Sequence, residues 1–309
     1  MPANAFGTST AIGNREDLVD IIYNTAPTDT PMISAIDKVK ATAVTHEWQR
    51  DVLAAPNAAN QVAEGADAAY TAITPTQRLS NQTQISRKTF SITDTQERVN
   101  KAGRKSEIRY QTIKQGKELR KDMEISLIEN PTLTTGSTRV TRGLRGWIVT
   151  NSSSGATGAA PSFTTNTAPT DGTLRTYTEA LMRPAVLGAY TNGGNVTQMM
   201  LHPSIKQNVS ATFTGNGTKF NKGETQQLNT AWDVVKTDFG TLDLVPNRVM
   251  SRTREAYFLD TDLVALAVLR DMEDQELARI GAARNFMIET EYALEVREER
   301  GLACVRDIQ

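Results

Sequence analysis

The chain has 309 residues, 39% of them apolar and 22% charged, with 34 Lys and Arg against 35 Asp and Glu for a formal net charge of −1. That balance excludes wholesale disorder and a strongly basic nucleic-acid binder, while leaving room for a local basic patch. A single cysteine, Cys304, excludes an intramolecular disulfide; Met1-Pro2-Ala3-Asn4 has no signal-peptide character, and the apolar run Leu263–Leu269 is too short to span a bilayer.

In chain order, Asn14 is placed to cap a short helix with Leu18, Ile21 and Ile22 on one face, and Pro27 and Pro31 prevent its continuation. Residues 1–40 read as an arm, which needs a surface from the rest of the fold or from another chain. Residues 41–93 read as two strands around a long tip. Val44, His46, Trp48, Arg50 and Val52 alternate with polar neighbours, and the return side changes parity between Ile85 and Phe90, which predicts a bulge or a change of face. The tip, residues 54–78, is small and polar, too long for a structureless loop inside a compact domain. It makes sense as a projection ordered by a neighbour.

Asp94 and Glu97 resemble a capping box. Ile113, Gly116, Leu119, Met123 and Leu127 then form one apolar stripe on a helix from Ser106 to Glu129, ended by Asn130-Pro131. A Ser-, Gly- and Thr-rich loop from Thr150 to Asp171 reads as a boundary. Residues 172–262 read as a separate α+β lobe. Its predicted elements are a helix from Leu174 to Ala189, a strand over Val196–Leu201, a helix after Pro203, a flexible Gly215-Asn216-Gly217 loop, and strands around Trp232–Val235 and Leu242–Val245. From Phe286 to Val296 a clean alternation predicts a strand with one buried and one charged face, followed by a second strand over Leu302–Ile308 that buries Cys304.

No catalytic constellation survives inspection. His46 and His202 lack acidic neighbours at metal-ligand spacing, and Cys304 lies in a core-like strand. Asp238-Phe239-Gly240 imitates a kinase triplet without the accompanying loops and reads better as a turn between strands. Asp271, Glu273, Asp274 and Glu276 lack the glycine and terminal glutamate of a calcium loop, and suit a solvated face or a basic partner. Charge segregation says more. Residues 97–124 carry nine bases against five acids, whereas 271–307 carry ten acids against five bases. Two solvated faces would explain this; so would recognition between a basic rod and an acidic sheet, within one subunit or between two. A basic helix facing DNA is weaker, because only Tyr110 offers a ring for stacking.

The order of parts, together with Ile12–Leu18, Thr30-Pro31, His46–Gln49, Gln84–Lys88, Lys101–Glu107, Lys117–Leu119, Asp238–Leu242, Val245–Arg248 and Glu291–Val296, resembles the major capsid proteins of tailed double-stranded DNA bacteriophages. That family has the Hong Kong 97-like fold, an α+β architecture. The resemblance implies an N-terminal arm (1–40), an extended β-hairpin loop (41–93), a peripheral domain with a long spine helix (94–164), an axial domain (165–262) and return strands of the peripheral domain (263–309).

It also implies a non-enzymatic shell subunit that needs no cofactor or metal and forms pentamers and hexamers around a double-stranded DNA genome without sequence-specific DNA binding. Implied partners are further copies of the chain, a separate scaffolding protein, a portal and a decoration protein, with no membrane. Localisation would be the virion capsid, after assembly in the host bacterial cytoplasm. The alternative is the shell of an encapsulin-like cellular nanocompartment. Candidate subunit-interface residues are Leu18, Ile21 and Ile22 of the arm, Trp48, Arg50, Arg87 and Lys88 of the extended loop, and Arg104, Lys105 and Arg109 at the start of the rod.

Overall fold

The computed structural model describes residues 29–68, 70–215 and 233–309, with the side chains of 213–215 excepted. The expected arm helix with Leu18, Ile21 and Ile22, most of the Gly215-Asn216-Gly217 loop, and Trp232 lie outside the described residues. In chain order the elements are α1 (Pro31–Ala35), β1 (Asp37–Lys40), β2 (Thr45–Arg50), β3 (Gln77–Gln82), β4 (Gln84–Thr93), α2 (Asp94–Arg98), α3 (Glu107–Glu129), α4 (Leu144–Trp147) and β5 (Ser152–Ser153). They continue with α5 (Glu179–Thr191), β6 (Gln198–Leu201), α6 (Pro203–Gly215), β7 (Val234–Thr237), β8 (Gly240–Pro246), β9 (Glu255–Leu259), β10 (Val264–Ile280), β11 (Ala283–Val296) and β12 (Ala303–Arg306).

The 23-residue α3 spans roughly 35 Å at 1.5 Å per residue. Its first turn has two external acceptors. Ser106 Oγ accepts from Arg109 N at 3.2 Å, and the Glu97 carboxylate accepts from Glu107 N at 2.8 Å. Glu97 therefore serves the long helix, and Thr93, accepting from Gln96 N, caps α2 in place of the expected Asp94. Between them Gly103 takes φ +75°, a left-handed turn that a side chain would resist. The predicted stripe is covered only toward its C-terminal end: Leu119, Met123 and Leu127 are buried, while Ile113 stays 53% exposed.

The described strands form three sheets, one of which packs on this rod through β4 and β11. β1, β10, β11 and β4 form a four-stranded sheet in that order, with β1 parallel to β10 and the other pairs antiparallel. β2 and β3 pair separately, and the chain passes between these two sheets at Thr83. The predicted change of face thus falls just before Ile85, between β3 and β4, and not between Ile85 and Phe90: Leu79 and Thr83 are buried, Ile85 is exposed, and Phe90 and Ile92 are on the inner side.

Residues 31–40, read from the sequence as part of the arm, are built into the body. Pro31 opens α1 instead of only ending a helix, because the lost N–H of proline costs nothing in a first turn. Met32, Ile33 and Ile36 join the main core, and β1 adds to the sheet.

The third sheet, in the order β5-β12-β9-β6-β8-β7, departs most from the expected separate lobe. Its strands alternate side chains between two cores. Met200, Tyr257, Leu259 and Cys304 face the core containing Trp147 and Leu127; Met199, Leu201, Phe258 and Val305 face the one packed by α5 and α6. The Thr150–Asp171 stretch contributes β5, so it is a built segment and not a passive boundary. Residues 174–178 are not helical as expected, because the C-terminus captures them: Arg175 N donates to Asp307 O at 2.8 Å and Gln309 N to Arg175 O at 3.0 Å.

Candidate assembly surface

The β2–β3 ribbon is pinned at its base. Trp48 Nε1 donates to the Val296 carbonyl at 2.9 Å, its ring lies 5.4 Å from that of Trp147, and His46 Nε2 sits 2.7 Å from Glu295. Arg50 pairs with Glu298 at 2.9 Å. Buried Asn81 satisfies four partners, donating to the carbonyls of Arg142 and Leu294 and accepting from the amides of Arg142 and Gln82. Every anchor is on the body, and none is beyond Gln77. From there outward the described residues of 51–76 have no regular structure and are exposed. Leu53, Val62, Tyr70 and Ile73 are 85–97% exposed. A rigid base therefore carries an outstretched segment whose apolar side chains have nothing of their own beneath them.

Next to this base, the polar face of β11 is buried, contrary to the one-buried, one-charged reading. Glu289 accepts from Arg87 and from Arg270, the latter at 2.6 Å. Glu291 accepts from Thr83 at 2.7 Å, Arg139 at 2.6 Å and Arg270 at 3.1 Å. Burial pushes both carboxyls up, but the hydrogen bonds from Arg87 and Arg270 to Glu289, and from Thr83, Arg270 and Arg139 to Glu291, outweigh it and hold both below the usual carboxylate range. These ion pairs lock β4, β10 and β11 together. Glu124, at the far end of the core, shows the opposite balance. Burial raises its pKa, although its carboxylate accepts from Met32 N, Ile33 N and Asn247 Nδ2 at 2.7–3.0 Å.

The charge segregation is not resolved within the subunit. Among the described residues no ion pair joins the bases of 97–124 to the acids of 271–307. Lys101 pairs with Glu97, Arg104 with Glu107 and Lys114 with Glu118, each on its own segment. Lys88 instead reaches Asp122 of α3 at 2.7 Å. The acids Asp271, Glu273 and Asp274 stand exposed on β10 beyond Val268, where β1 ends and the strand becomes a sheet edge. Charges on such an edge oppose indiscriminate strand pairing.

The catalytic candidates have structural roles. His202 Nδ1 accepts from Ser204 N at 3.2 Å at the start of α6. Cys304 is fully buried, and burial pushes its thiol up to about 12. Asp238-Phe239-Gly240 is the β7–β8 turn, with Gly240 at φ +143°. Among the described residues no cluster of three His, Cys, Asp or Glu is placed to hold a metal, and no helix is long and apolar enough to cross a membrane.

Of the residues expected at subunit interfaces, Trp48, Arg50, Arg87, Lys88 and Arg104 have partners within the chain, and Lys105 and Arg109 are exposed, with no side-chain partner among the described residues. The sequence reading did not single out the exposed apolar side chains Leu53, Val62, Tyr70 and Ile73, although four bulky apolar residues in an otherwise small, polar stretch were the available signal. Glu124 was also missed, because nothing local distinguishes a buried carboxylate from its exposed neighbours on a charged helix.

The SU10 major capsid protein family matches residues 4–309. The major capsid protein of Escherichia phage Phieco32 is 26% identical over 326 aligned positions, covering 92% of each chain. In fold, the chain is similar to the capsid of cyanophage A-1(L), with a TM-score of 0.70 at 14% identity over 98% of both chains. It is also similar to the SrpI encapsulin of Synechococcus elongatus PCC 7942, with a TM-score of 0.59 at 9% identity over 96% of this chain and 92% of that one. The fold alone is common to phage shells and nanocompartments, so it does not separate them; the family match does. A pinned ribbon with an outstretched tip, a long rod and a sheet shared by two cores are the parts of a Hong Kong 97-like shell subunit, and the chain belongs to the SU10 major capsid protein family, the structural subunits of phage capsids.

Proposed function

We propose that the outstretched 51–76 segment is what joins one subunit to the next as copies close into pentamers and hexamers of the capsid. The observation that carries this is the near-complete exposure of Leu53, Val62, Tyr70 and Ile73 on a ribbon whose base is rigidly held. Each such contact is modest, and many made together give a stable shell while single mistakes still dissociate. Lys105 and Arg109, exposed and without an ion-pair partner among the described residues, extend the contact surface at the head of α3, and the exposed acids of β10 on another copy are their complement.

In this reading residues 94–164 and 263–309 form the peripheral domain and 165–262 the axial one. The subunit does no chemistry. A net charge of −1 limits repulsion between packed copies and suits a lining that does not grip the packaged double-stranded DNA by sequence. A scaffolding protein, a portal and a decoration protein complete the particle, which assembles in the host cytoplasm.

Sedimentation velocity with negative-stain microscopy tests the assignment, comparing the full chain with a variant in which residues 54–76 are replaced by a short Gly-Ser linker. The full chain is expected to give capsomers and shells, and the variant a folded, soluble subunit that gives neither. A full chain that stays a small monomer under all conditions, or a variant that still closes shells, would overturn it.

A further inference from the structure

The β1-β10-β11-β4 sheet is open on both sides over part of its length. β1 accompanies β10 only as far as Val268, and β4 is the last strand on the other side. Beyond Val268 the same rungs cross three strands. Glu273, Glu289 and Arg87 share one rung, Asp274, Ile288 and Lys88 the next, and Gln275, Met287 and Thr89 the one after. Among the described residues the main chains of 85–92 and 271–277 hydrogen-bond to β11 and to no other segment, so each edge keeps a row of free donors and acceptors. Both edges are accessible: 271–280 is exposed throughout, as are Ile85, Arg87, Thr89 and Ser91 on β4. They also differ in charge. Residues 84–93 carry two bases and no acid, whereas 271–277 carry four acids and no base.

We propose that the β10 edge of one copy pairs with the β4 edge of the next, so that the sheet continues from subunit to subunit. β10 and β4 are each antiparallel to β11 and therefore parallel to one another, and a neighbour placed edge to edge in the same orientation adds a parallel strand. That pairing sets Arg87 beside Glu273 of the other copy on one face, and Lys88 beside Asp274 of the other copy on the opposite face. Arg87 and Lys88 already hold Glu289 and Asp122 of their own subunit, but their side chains are 54% and 31% exposed, and each has donors to spare.

Pairing of like edges would set acids against acids or bases against bases, which is destabilising. Charge thus selects the unlike pair, and an unlike pair is the heterologous contact from which rings of copies close. The proposal rests on the reading of this chain as a self-assembling subunit, and names a contact separate from the one made by 51–76.

Disulfide trapping during assembly tests it. Thr89 and Gln275 are exposed and stand on one rung with β11 between them, so within a subunit they are about 10 Å apart, too far for a disulfide. The native Cys304 is buried and does not compete. Thr89→Cys and Gln275→Cys proteins are assembled separately and as a mixture, and mild oxidation is followed on non-reducing gels. The expected result is a dimer band in the mixture alone. A band of equal strength in either single variant, which would mean that like edges meet, or no band in a mixture that has assembled, would overturn the proposal.

As a second measurement, Glu273→Lys with Asp274→Lys should slow assembly about tenfold or more at an unchanged urea midpoint. Assembly at the ordinary rate would count against the edge contact. The two contacts fail separately. Shells that close without the mixed band refute edge pairing and leave the 51–76 segment its role, whereas a linker variant that still closes shells and gives the band refutes the segment's role alone. A full chain that stays a monomer overturns both.

Discussion

Trp48 and Val296, 248 positions apart in sequence, are joined by one hydrogen bond of 2.9 Å from the indole Nε1 to the main-chain carbonyl. That bond joins β2 to the end of β11, beside the His46–Glu295 and Arg50–Glu298 contacts that hold the same base. Trp48→Phe keeps most of the ring contact with Trp147 and loses the donor, which should cost about 1 kcal/mol. Trp48→Ala loses the ring as well and should cost about 3 kcal/mol or more. Urea unfolding of the unassembled subunit measures both. Limited proteolysis at 51–76 should be unchanged, since that segment is exposed in either case.

Glu124 accepts two amide hydrogen bonds from α1 and one from Asn247, with its side chain wholly buried. Glu124→Ala leaves these donors without an acceptor and should destabilise the subunit by about 3 kcal/mol. The loss should appear as a lower midpoint in denaturant, with faster hydrogen exchange at the amides of Met32 and Ile33.

The pH dependence has two opposed contributions. Glu289 and Glu291 have pKa values lowered on folding, so their contribution is complete above the ordinary carboxylate range and is lost as pH falls through the folded values. Glu124 has a raised pKa, so its contribution is complete below the ordinary range and falls away as pH rises through the folded value. Arg87→Gln combined with Arg270→Gln should therefore flatten the acid limb of the stability curve. Glu124→Gln should remove the decline on the rising side. Midpoints in urea, taken from pH 3 to pH 7, check both signs.

A side chain at Gly146 would collide with the carbonyl of Pro131 and with Arg142, both held by the packing of α4. Gly146→Ala should cost about 3 kcal/mol, the upper part of the usual penalty for overpacking. A thermal melt reads it. Gly193→Ala offers a contrast: a Cβ there meets no atom within 4 Å, and its penalty comes only from φ +88°.

The Cys304 thiol, fully buried and pushed up to about 12, should react with an aromatic disulfide reagent only as fast as the subunit unfolds. Labelling in native buffer that far outpaces the unfolding rate measured by fluorescence would count against the burial of β12.

Much of this architecture was legible without coordinates wherever local signals decide. The limits of α3 follow from Ser106 and from Asn130-Pro131, and the β2 alternation and the β7–β8 turn follow from short-range pattern. The 54–78 stretch read as a projection because it has too little to bury. Local signals failed where pairing is imposed from a distance. β10 continues to Ile280 through a polar run that has no strand pattern of its own, since β11 supplies its hydrogen bonds. β9 was missed because both of its faces are buried, which erases alternation.

Short-range pattern was enough for most of the elements, the rod, the projecting ribbon and the family resemblance, because periodicity, caps and composition act within a few residues of one another. Long-range packing alone accounts for one sheet serving two cores, for the acids of β11 lying buried among arginines, and for Ile113 of the α3 stripe staying exposed. Those outcomes depend on which distant segments meet, and a buried carboxylate is indistinguishable in sequence from an exposed one until its partners are in place.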